Sequence, residues 1–114
     1  MLIENKQQLM DESQTWKQDI NAILDQNIQL KNQLSLWLQH SCEPVEMEKA
    51  EYFQNGFVKT DVFAGVLRDE VVAWENAVAP ETRDQKRAAI RYNLHLLHQH
   101  FENLSAEFEQ FLVK

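Results

Sequence analysis

Turn-forming residues are scarce in this chain, with two glycines and two prolines among 114 residues. That leaves little turn chemistry for a fold of many short elements and suits a few long helices. The single cysteine, Cys42, excludes an intrachain disulfide and gives no sign of an oxidising compartment. No run approaches the roughly 18 apolar residues that read as a bilayer span. The opening MLIENKQQLMDESQ turns polar at Glu4 and lacks the apolar stretch of a signal peptide. A cytoplasmic protein with no membrane association is therefore expected. The net charge of −7 argues in addition against nucleic acid as a partner.

What the chain does have is Gln, Glu, Leu and Ala in a length that can bury a core without staples. A single domain over residues 1–114 is expected. Its apolar residues fall into three frames. In the first, Leu2, Leu9, Trp16, Ile23, Leu30 and Trp37 recur every seventh position. Lys6, Ser13, Ile20, Asn27 and Leu34 occupy the companion positions of the same heptad, so the seam is stronger toward its C-terminal half. Asn27 there either sets register against a partner helix or marks a loosely packed level. The second frame runs Ala50, Phe53, Phe57, Thr60, Ala64, Leu67, Val71, Trp74, Val78, and the third Ile90, Leu94, Leu97, Phe101, Leu104, Phe108, Phe111. Both alternate steps of three and four, the signature of one buried helical stripe.

Pro44 and Pro80 separate the frames, each suited to a helix's first turn and not to its interior. The spacing predicts an all-α, elongated antiparallel bundle of three long helices, at about 2–38, 44–78 and 82–112. Thr82 and Gln85 have the spacing of a capping box for the third. The competing reading is four helices, with a break near residues 55–60 at Asn55-Gly56. Arg83, Lys86, Arg87 and Arg91 crowd the start of the third helix, against its dipole. An up-down-up order sets them beside Asp69, Glu70 and Glu75, with Asp11 and Glu12 at the same end. The layout resembles spectrin-type repeats in outline, a likeness of architecture that implies no activity.

Several apolar residues lie off these frames: Tyr52, Val58, Val62, Phe63, Val66 and Val72 on the second helix, Ile28 and Leu36 on the first, Leu96 on the third. An apolar face left in water usually marks an interface. The expectation is an interaction or assembly module, a homodimer or the docking site of a helical protein partner, with the second helix central.

The segment RYNLHLLHQHF offers the one cluster of chemistry-bearing side chains. At about 100° per residue, His95, His98 and Glu102 share a stripe and His100 faces elsewhere. That stripe is chemically competent for a metal ion and is the alternative, a metal- or ligand-sensing bundle. No histidine has a glutamate three residues before it, so the motif of carboxylate-bridged di-iron bundles is absent. A hemerythrin-like site needs histidines from several helices, and only His40 lies outside the third. The exposed histidine of phosphotransfer bundles sits in a His-x-Leu-Lys-Gly pattern that this segment does not have. With no HExxH, phosphate loop or nucleophile elbow either, neither catalysis nor a cofactor is expected.

Overall fold

The computed structural model describes residues 6–40, 43–77 and 79–113. They form three helices, α1 (Lys6–Leu38), α2 (Pro44–Glu75) and α3 (Pro80–Leu112). These pack into an elongated bundle of 64 × 19 × 19 Å. The order is up-down-up. Trp16 of α1 meets Trp74 of α2 at one end, and Trp37 of α1 meets Phe111 of α3 at the other. α2 is the central element, in extensive contact with both neighbours, while α1 and α3 touch much less.

The helix ends follow from the prolines. Glu43 and Ala79 are extended residues just before Pro44 and Pro80, and neither helix start has a side-chain cap. The ring presets the helical φ at a position whose amide needs no partner. The expected capping box at Thr82 and Gln85 is therefore not formed: both residues already lie inside α3. α2 ends at Glu75, short of the expected residue 78, where Asn76 closes the last turn onto Val72 and Ala73. Leu2, Cys42 and Val78 lie outside the described residues. So does the expected start of the first helix.

No break interrupts α2 at Asn55-Gly56, which corrects the four-helix alternative. The glycine serves packing: a Cβ at Gly56 would lie 2.7 Å from Leu104 Cδ1, so its absence lets α3 press against the α2 backbone. Every described residue of the second frame is buried, and in the third only Phe111 is partly exposed.

Two apolar clusters divide the core. The larger gathers Trp16, Ile20, Ile23, Leu67, Val71, Trp74, Ile90, Leu94, Leu97 and Phe101. The smaller joins Leu34, Ala50, Phe53, Phe57, Leu104 and Phe108. In the second, Phe57 stands edge-on to Phe108 at 5.1 Å and Phe53 to Phe108 at 5.2 Å, the geometry aromatic quadrupoles favour. Burying each such side chain contributes about 1.5–3 kcal/mol before entropy is set against it.

Candidate functional site

Between the two apolar clusters lies a polar layer. Asn27 and Thr60 are both fully buried there. The Asn27 amide donates to the Phe57 carbonyl at 2.9 Å and to Asp61 Oδ1 at 2.8 Å. Lys31 donates to the other Asp61 oxygen at 2.5 Å. On the α3 side, Thr60 hydrogen-bonds His100 Nε2 at 2.9 Å and also donates to the Gly56 carbonyl. Both donors of the Asn27 amide are engaged, while its Oδ1 has no hydrogen-bond partner among the described residues; sliding either helix by a turn would strand further polar groups in apolar surroundings. Asn27 thus fixes the register of α1 on α2, and His100 ties α2 to α3. The heptad pointed to Asn27. His100 gave no such signal, because its partner Thr60 lies 40 residues away.

At the Trp74 end, polar groups clamp all three helices. Glu12 forms an ion pair with Arg87, 3.1 Å from its Nε, and accepts a hydrogen bond from Arg91 Nε at 3.0 Å. Glu75 turns toward α1, accepting from Lys17 at 3.0 Å and from the Ser13 hydroxyl. Of the acids that the charge pattern places at this end, Glu12 of α1 pairs with Arg87 and Arg91, while Glu75 pairs with Lys17. Arg87 also lies 5.6 Å above the Trp74 ring, and the Trp74 indole donates to the Arg83 carbonyl at 2.9 Å. Burial works to raise the Glu75 pKa, but the hydrogen bonds from Lys17 and Ser13 outweigh it and hold the carboxyl below its ordinary value.

The histidine stripe has a different character. His95 and Glu102 are exposed and His98 is half-buried. Among the described residues no group of three His, Cys, Asp or Glu side chains is placed to hold a metal ion.

The off-frame apolar residues do not form one patch. Val58, Val62 and Val66 are 51%, 60% and 52% exposed, and they follow one another at steps of four along the outer side of α2. At about 100° per residue this ridge points directly away from the buried frame. Tyr52 is exposed at the α3 flank, where it lines a shallow groove with Lys49, Phe53, Glu107, Gln110 and Phe111. Its hydroxyl donates to Glu107 at 2.9 Å, which raises the phenol pKa. Val72 is exposed near the end of the helix. Phe63 is half-buried and packs against the larger core cluster. It belongs partly to the fold, and the outer ridge is carried by the three valines. Ile28 and Leu36 are exposed on α1, and Leu96 is half-buried.

Among the described residues no helix is long and apolar enough to cross a membrane. No known protein family, curated protein or solved structure matches this chain.

Proposed function

We propose that this protein is a non-enzymatic interaction module that self-associates through the outer face of α2. The observation that carries the reading is the ridge of Val58, Val62 and Val66, exposed on the central helix of a bundle whose buried frame is complete without it. An isolated exposed valine needs no explanation, but three in consecutive turns make a continuous apolar strip. A metal-sensing role for His95, His98 and Glu102 receives no such support, since the described residues offer no three-ligand set.

The test is Val62→Glu, a substitution at an exposed position. Helicity by circular dichroism should be unchanged, while sedimentation velocity should show loss of the associated species. A variant that sediments like the parent would overturn the reading.

A further inference from the structure

The outer face of α2 carries a second periodic pattern beyond its valines. Asn55, Lys59, Val62, Val66, Asp69 and Ala73 follow at steps of four and three, and all six are exposed. That spacing keeps the six on one stripe, opposite the buried frame and centred on Val62 and Val66. Lys59 and Asp69 flank the valines at opposite ends. They lie ten residues apart, about 15 Å along the helix, so they cannot reach each other within one chain. Among the described residues neither takes part in a hydrogen bond or ion pair of the bundle. Two neighbouring charged residues, by contrast, are engaged with α1, since Arg68 donates to Asn21 and Asp61 accepts from Asn27 and Lys31.

The pattern is complementary to itself when reversed about residue 64. Antiparallel pairing of two such stripes places Val62 against Val66, Lys59 against Asp69 and Asn55 against Ala73, each contact occurring twice by symmetry. Parallel pairing would put lysine on lysine and aspartate on aspartate, which like-charge repulsion disfavours. We infer that the partner of this face is a second copy of the same chain, bound with its α2 antiparallel and a two-fold axis passing level with residue 64. The inference rests on the self-association proposed above and adds its orientation and register. It also assigns Lys59 and Asp69 the work of selecting that orientation, with affinity supplied by the valines.

Charge exchange tests the register. Dissociation constants are measured by sedimentation equilibrium for the parent, Lys59→Glu, Asp69→Lys, the double variant, and an equimolar mixture of the two single variants. Circular dichroism confirms that each is folded. Each single variant should bind itself about tenfold more weakly, because two attractive pairs become repulsive. The double variant should recover to near the parent value, and the mixture should form heterodimers more tightly than either single variant pairs with itself. Single variants that associate like the parent, or a double variant that fails to recover, would overturn the register while leaving self-association intact. A parent that stays monomeric would overturn the association itself, and the register with it.

Discussion

Asn27 shows how a single residue controls the way this bundle closes. It is fully buried, and its amide group bridges the α2 backbone and Asp61. Asn27→Ala should lower the unfolding free energy by about 1–3 kcal/mol, since it removes two hydrogen bonds and leaves a buried carbonyl with one fewer partner. Urea denaturation measures this, and an unchanged midpoint would deny the amide its role. Glu75 makes a pH-dependent contribution. Its pKa is lowered in the fold, so its stabilisation is complete above the ordinary carboxylate range and is lost as pH falls through the lowered value. Glu75→Gln should therefore reduce stability at neutral pH and flatten its decline in acid, as thermal melts across a pH series would record.

Among the elements, α2 joins the other two and contains both glycines. They have opposite packing. A Cβ at Gly56 meets Leu104, whereas at Gly65 it meets nothing within 4 Å. Gly65→Ala should stabilise the protein by up to about 1 kcal/mol, the propensity difference within a helix. Gly56→Ala should show no such gain, because the added methyl displaces a buried leucine. Equal gains at both positions would contradict the packing of α3 on α2. These elements were largely legible in the sequence, because a three-four frame over this length has a single buried stripe as its simplest solution. The frame also outweighed Asn55-Gly56 as a break, since the glycine has a packing role that local turn chemistry does not reveal. The Thr82 box failed as a start signal because Pro80 already initiates the helix two residues earlier. Side-chain partners across the bundle were less legible. The positions of the charges and the up-down-up order set the acids near the basic cluster, but only the relative rotation of the helices decides that Glu12 receives Arg87 and Arg91.

The whole molecule is a rod with a two-part apolar core, a polar layer that fixes register, and a clamp at the Trp74 end. None of these features uses the outer face of α2, and that face is where self-association is assigned. The six off-frame residues of α2 were visible in the sequence as a group. Their division into a ridge of three valines, a separate Val72 near the helix end, a tyrosine at the α3 flank and a phenylalanine half in the core required the packed helices. In the proposed antiparallel dimer, two valine layers and two ion pairs would make a modest interface, so association should be reversible and weaken with added salt. The most direct measurement is sedimentation equilibrium of the unmodified protein over a wide concentration series. A concentration-dependent shift from monomer to dimer mass is expected. A monomer mass at every concentration would contradict it.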